Sequence, residues 1–368
     1  MRTMSRRLLL GAAALLPAPP RAGPAWAGTP GISPASLSAS GVPQPGAAPG
    51  PALLAGWAQF RRDFLLPEGR VIDTGNRQVS HSEGQGWALF CAERAGDRAG
   101  FELIWNWTRR VLARPQDRLL AWRYLPDQPA DPVPDRNNAT DGDLFAAAAL
   151  LLAGQRWGQA AYAEAGAAIA RDVLRLLLRQ VAGQTVLLPG LRGFESAERV
   201  VLNPSYYAFP ILGVLARGVP DPAWLALAAD GLLLLRRARF GRWGLPPDWL
   251  QMERADGALS LPAQWPPRFS YDAIRVPFYL CWAGLAAEPA AQAAARFWAE
   301  AGPPPGPAWV DLQSDRPGPY AAAPGLRALA AWVQRRATGR TPESPLLTNP
   351  RDDYYASVLK LLLAVAEP

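Results

Sequence analysis

In 368 residues this chain holds two cysteines, one histidine and one lysine, and each scarcity removes a class of chemistry. Two thiols, Cys91 and Cys281, cannot build a disulfide framework or a zinc quartet. Each lies in an apolar helical pattern, which fits two buried free thiols, although one disulfide between them is also open to an exported protein. The lone His81 supports neither a nucleophile triad nor a histidine metal site, so a structural or supporting role is expected. Asp141-Gly142-Asp143 lacks the rest of a calcium loop, and neither a metal nor another cofactor is expected. Hydrophobic runs stay well short of the roughly 20 residues that span a membrane. Alternating strand patterns are also scarce, Gln184 to Leu188 being the best.

Nearly all positive charge is arginine. The formal net charge is +7, but Arg2, Arg6, Arg7 and Arg21 supply four of those seven charges from an acid-free stretch of 27 residues. The remainder is only modestly cationic, which argues against a nucleic-acid partner. That stretch has a basic start, an apolar run from Leu8 to Pro17 and the small-x-small site Pro24-Ala25-Trp26-Ala27. It reads as a secretory signal peptide over residues 1–27, cleaved near Ala27, with a periplasmic or secreted product and no stable membrane insertion afterwards. Ser5-Arg6-Arg7-Leu8-Leu9 leaves the twin-arginine and general export routes both open. Residues 28–50 are almost wholly Gly, Pro, Ala and Ser, too little side chain to offset ordering entropy, and are expected to be a disordered tether. The folded domain is then 51–368.

Within that domain apolar residues recur at helical spacing in eleven blocks: 53–65, 83–95, 101–112, 143–153, 160–178, 204–216, 223–235, 272–285, 290–299, 326–333 and 354–365. The fold class is all-α. Four helix starts are unusually polar. Ser82-Glu83-Gly84-Gln85 has the form of a capping box, Thr140-Asp141-Gly142-Asp143 repeats it with acids, Asn203-Pro204 pairs a cap with a first-turn proline, and Ser270-Tyr271-Asp272 sets a carboxylate before an apolar run. Successive starts lie 58, 63 and 67 residues apart, with one plainer helix between each pair. Alternate helices would then be parallel, with all four polar N-termini at one mouth of a ring. Capping, at about 0.5 to 2 kcal/mol per helix, accounts for Ser82, Thr140, Asn203 and Ser270. It does not account for Glu83, Asp272, Tyr206 or Arg275.

These blocks, with Val79-Ser80-His81 ahead of the first, Asn138-Ala139 ahead of the second, Ser205-Tyr206 in the third and Ala273-Ile274-Arg275-Val276 closing the fourth, resemble glycoside hydrolase family 8. The motifs follow the family's order over roughly residues 55–365, most like the periplasmic endoglucanases encoded with bacterial cellulose synthase. The resemblance implies an (α/α)6 barrel of inner and outer helices with its cleft at the N-terminal ends of the inner ones. It implies Glu83 as general acid and Asp272 as general base of an inverting endo-β-1,4-glucanase. It further implies sugar contact by Asp141, support of the base and its water by Tyr206 and Arg275, and sugar stacking by Trp122, with Trp105 or Trp107 as further exposed rings. The partners implied are a β-glucan polysaccharide and the cellulose synthase complex. Chitosan, xylan and mixed-linkage glucan are alternative substrates, and a non-catalytic glucan-binding component of the synthase is an alternative function.

Inversion needs an acid to protonate the leaving oxygen and a base to activate water, about 6.5 to 9.5 Å apart. A helix N-terminus favours the anion, so a negative Asp141 is expected to raise the proton affinity of Glu83, while Arg275 keeps Asp272 ionised. Ala146 and Gly86-Trp87-Ala88 depart from the usual family pattern, which bears on packing beside the cleft. A twelfth helix is expected around Pro247 to Met252.

Overall fold

The computed structural model describes residues 41, 48–300, 306–339 and 352–367. The expected leader and most of the expected tether lie outside the described residues. Eleven helices are found among those described: α1 (Pro51–Phe64), α2 (Ser82–Ala95), α3 (Arg98–Val111), α4 (Thr140–Trp157), α5 (Ala160–Leu177), α6 (Phe209–Gly218), α7 (Pro222–Arg237), α8 (Arg275–Trp282), α9 (Pro289–Glu300), α10 (Pro324–Thr338) and α11 (Tyr354–Ala366). Each falls on one of the eleven apolar blocks. Their ends follow local chemistry. Asp97, Asp221 and Asp353 accept first-turn backbone N–H groups of α3, α7 and α11. Gly96, Gly158 and Gly339 close α2, α4 and α10 in the left-handed conformation that glycine adopts without strain.

Burial separates two kinds of helix. In α2 and α4 nearly every side chain is buried, whereas α1, α3 and α5 bury a single stripe. The ring closes by contact: α2 packs on α4, α4 on α6, α6 on α8, α8 on α10, α10 on α11 and α11 back on α2. Outside it α3 lies on α2, α5 on α4, α7 on α6, α9 on α8 and α10, and α1 on α11. Among the described residues this gives six inner and five outer helices, in the order expected of an (α/α)6 barrel. Cys91 of α2 and Cys281 of α8 are both buried and free, so the disulfide alternative falls. Among the described residues no helix is long and apolar enough to cross a membrane.

Three expectations about elements are corrected. The segment expected to form a twelfth helix carries strand β6 (Leu250–Glu253), paired antiparallel with β5 (Arg199–Leu202) and with β7 (Leu259–Ser260). Leu250 and Met252 are buried while Gln251 and Glu253 are half-buried, a period of two that the flanking prolines obscure. The block 204–216 is split into a 3-10 turn (Pro204–Tyr206) and α6, because Pro210 has no N–H for the Tyr206 carbonyl and its ring would clash there. For the same reason Pro277 prevents α8 from extending back over Asp272, which sits in a turn instead.

Three further ribbons are short. β1 (Ser80–His81) pairs with β2 (Arg123–Tyr124), β3 (Leu178–Val181) with β4 (Gln184–Leu187), and β8 (Arg268–Phe269) with β9 (Val310–Asp311). The first brings the residue before α2 beside Trp122.

The seam between α2 and α4 is built from glycines. A Cβ on Gly142 would stand 2.5 Å from the Ser82 hydroxyl and 2.6 Å from the Glu83 nitrogen, and one on Gly86 would stand 2.8 Å from the Gly142 carbonyl. The two helix starts can approach this closely only without side chains there. Gly142→Ala is therefore expected to destabilise the protein by about 1–3 kcal/mol through overpacking. It should also lower activity, because the backbone it displaces carries Glu83. A melting curve and an initial rate on the same preparation check both.

Candidate active site

Four polar helix starts meet at one mouth of the ring, and Arg275 joins them. It is 2% exposed. Its Nη1 donates to Oε1 of Glu83, and its Nη2 donates to Oδ1 of Asp272 and, at 3.0 Å, to the Ser205 hydroxyl. Asp141 Oδ2 lies 3.8 Å from Nη1, and the guanidinium sits 5.1 Å from the centre of the Trp87 ring. One buried cation thus contacts three carboxyls from α2, α4 and the turn before α8. Spacing along one helix suggested only the bond to Asp272.

The capping roles expected at this mouth change. Ser82 is the first residue of α2, not its cap, and its hydroxyl makes no hydrogen bond. Gln85 does not reach back to the helix start. Its amide accepts from the Val71 nitrogen and donates to the Gly69 carbonyl and the Thr108 hydroxyl, tying the segment before β1 to α3. Thr140 donates to the Leu188 carbonyl. Ser270 binds Asp248. Asn203 alone caps as expected, accepting from the nitrogen and hydroxyl of Ser205 at 3.0 and 2.7 Å. Gln85, Thr140 and Ser270 each bond a neighbour distant in sequence that no local pattern encodes.

Charge is distributed differently from expectation. Burial favours a protonated Glu83, but Arg275 and a hydrogen bond from Asp141 outweigh it and hold Glu83 below its usual range. Asp141 is pushed well above its usual range by burial and by the negative Glu83. Glu83 is thus held down and Asp141 pushed up, whereas a rise was expected for Glu83. Asp272 is raised to about 7, chiefly by burial, with Arg275 opposing and Asp248 and Glu83 adding to the rise. Arg275 therefore does not by itself keep it fully ionised. Burial, with Asp141, Asp272 and Glu83 adding to it, raises the Tyr206 hydroxyl well above the usual tyrosine range.

Aromatic side chains flank this centre. Trp122 is partly exposed, stacks on His81 with ring centres 6.1 Å apart, and donates from Nε1 to Asp135 at 2.8 Å. His81 therefore supports a ring at the mouth. Trp107 does not: it is buried edge-on against Tyr124, and Trp105 is half-buried against the core on α3. Tyr271 and Tyr320 are exposed, with hydroxyls 3.3 Å apart, and the Tyr355 hydroxyl donates to the Tyr271 carbonyl beside Asp272. These, with Ser205 and Asp248, were not found by sequence reasoning. Tyr271, adjacent to Asp272 in the chain, carried the only usable signal.

Residues 35–367 match the profile of Glycosyl hydrolases family 8. The chain belongs to this family. As a family 8 glycoside hydrolase it is similar to a probable endoglucanase of Novacetimonas hansenii, 46% identical over 311 residues that span 84% of this chain and 89% of that one. Its fold superposes on the endo-beta-1,4-glucanase CMCax of Acetobacter xylinum with a TM-score of 0.78 and 44% identity, covering 86% of this chain and 97% of that one. A reducing-end xylose-releasing exo-oligoxylanase of Paenibacillus barcinonensis is more distant, 26% identical over 57% of this chain and 56% of that one. The departures from the family's usual pattern fall on packing: Gly86 and Ala146 meet at the α2–α4 seam, and Trp87 lies beneath Arg275.

Proposed function

We propose that this family 8 hydrolase is an inverting endo-β-1,4-glucanase acting on cellulose, with Glu83 as acid and Asp272 as base. The observation that carries this reading is the division of Arg275 between the two carboxylates, one on each terminal nitrogen. Two acids so divided, in different surroundings, can take opposite roles. The Glu83–Asp141 pair supplies the proton to the glycosidic oxygen. Asp272 takes a proton from water, whose oxygen bonds to the anomeric carbon as the leaving oxygen departs. Tyr206, protonated and beside Asp272, and Arg275 orient the base, and Asp141 contacts the sugar. Trp122 offers a ring face to a neighbouring glucose unit. The endoglucanase names of the relatives at 44–46% identity support the glucan.

The distant exo-oligoxylanase favours xylan as a second reading, with chitosan and mixed-linkage glucan tested beside it. The intact acid, base and arginine weigh against a purely glucan-binding role. Initial rates of reducing-end release on carboxymethyl cellulose, xylan, chitosan and mixed-linkage glucan decide among these. Release from carboxymethyl cellulose is expected to be fastest, and its absence would end the glucanase reading. Proton NMR of early cellopentaose hydrolysis should show the α-anomer first, because a single displacement inverts the β-linkage. A first β-product would make Asp272 a nucleophile.

The expected leader and tether, with the resemblance to endoglucanases encoded with cellulose synthase, support a reading in which the enzyme works in the periplasm or outside the cell, on nascent cellulose beside the synthase complex. Mass spectrometry of the exported protein should find an N-terminus near Gly28. An intact Met1 in a membrane fraction would refute cleavage.

A further inference from the structure

Asp248 is a buried acid, 7% exposed, that the reaction above does not use. It precedes β6, and its backbone nitrogen donates to the Arg268 carbonyl at 2.7 Å. Its Oδ1 accepts from the backbone nitrogens of Ser270 and Ala273 at 3.0 and 2.8 Å, and its Oδ2 accepts from the Ser270 hydroxyl at 2.5 Å. These donors lie on both sides of Asp272 in the chain. The turn has no helical ladder to satisfy them, because α8 begins only at Arg275 and Pro277 in its first turn has no N–H to bond back to the Ala273 carbonyl.

We propose that Asp248 is a positioning residue for the reaction: its carboxylate pins the 270–273 turn and so sets where the Asp272 carboxylate meets the attacking water. The proposal rests on Asp272 being the base. It needs no contact between Asp248 and substrate. All three bonds are accepted by one rigid carboxylate, so its loss frees both backbone groups together. A shift of about 1 Å in a reacting group costs on the order of 10²-fold in rate.

Asp248 also acts through charge. Asp272 is faced by Arg275 at the start of α8, Glu83 on α2, Asp141 on α4, Tyr206 on the 3-10 turn, Tyr355 on α11 and Asp248 itself. Asp248 in turn is faced by Arg275. Removing one negative neighbour lowers the proton affinity of Asp272, so the base stays ionised to lower pH and the acid limb of kcat/KM moves down.

Three variants separate geometry from charge. Asp248→Ala removes both and is expected to lower kcat about 100-fold with KM within about threefold. Asp248→Asn keeps Oδ1 as acceptor for the two backbone groups, and its amide can donate to the Ser270 hydroxyl. It is expected to lose about tenfold or less in kcat while its acid limb falls by roughly 0.5 to 1 pH unit. Ser270→Ala removes only the hydroxyl bond and should fall between wild type and Asp248→Ala in kcat. Wild-type kcat within about threefold in Asp248→Ala, or an unmoved acid limb in Asp248→Asn, would overturn the proposal. If Asp248→Ala does not fold, the Asp248→Asn limb and the Ser270→Ala rate decide. Asp272→Ala is run beside them: activity retained there removes the base assignment itself, whereas an inactive Asp272→Ala with a fully active Asp248→Ala overturns only the positioning role.

Discussion

Glu83→Gln is expected to lower kcat on β-1,4-glucan by about 10³-fold, within the range that a positioned general acid contributes, while KM changes little. The amide preserves shape, and its oxygen can still accept from Arg275 Nη1 where the carboxylate does now. What it cannot do is relay a proton. On the proposed mechanism Glu83, hydrogen-bonded to Asp141, delivers the pair's proton to the glycosidic oxygen. An aryl β-cellobioside with a nitrophenol leaving group needs no such delivery, and the loss on it should be much smaller. Equal losses on both substrates would instead assign Glu83 a role in binding or folding, and an unimpaired kcat on glucan would remove it from the reaction.

Arg275→Leu should be the most damaging substitution to the fold of the site. It leaves Glu83, Asp141 and Asp272 buried together without their cation, and breaking such a cluster typically costs about 3–5 kcal/mol. Activity should fall below detection at neutral pH, since neither the base nor the acid pair would keep its charge state. The pH dependence of stability has a definite sign. In the wild type Glu83 is held below its usual range, so the stability it contributes is present above that range and is lost as pH falls through the depressed value. Without Arg275 the carboxyls prefer to be neutral, and folding must take up protons. The deficit of Arg275→Leu should therefore be largest near pH 7 and shrink toward pH 5. Melting curves of both proteins across that interval test this, and a constant difference would mean that Arg275 stabilises by packing over Trp87 and not by charge.

The residues that carry the site were legible before any coordinates, and the network that joins them was not. Glu83, Tyr206, Asp272 and Arg275 stood out because capping could not account for two acids, a tyrosine and an arginine crowded onto helix starts, and Asp141 came with the resemblance. The four blocks in order then supplied the family resemblance. Glu83 is held low where a rise was expected because Arg275 reaches it across 192 positions of sequence, acting with the helix end and outweighing burial. The capping box at Ser82 failed because Gln85 found partners at Gly69, Val71 and Thr108.

The sequence alone determined the helices and their order. Apolar spacing, first-turn prolines and closing glycines are local, and eleven blocks became eleven helices among the described residues. It also determined that four polar starts alternate with plainer helices, which is what a ring with one functional mouth requires. Tertiary structure decided what lies between partners far apart in the chain. It made a strand of the supposed twelfth helix, because β5 offered Leu250 and Met252 a pairing partner. It buried Trp107 and left Tyr271 and Tyr320 open. It set one guanidinium between three carboxyls, and it placed Asp248 under the turn of Asp272. Helix periodicity arises from contacts a few residues apart, whereas burial, proton affinity and hydrogen-bond choice depend on which distant groups the closed ring brings within reach.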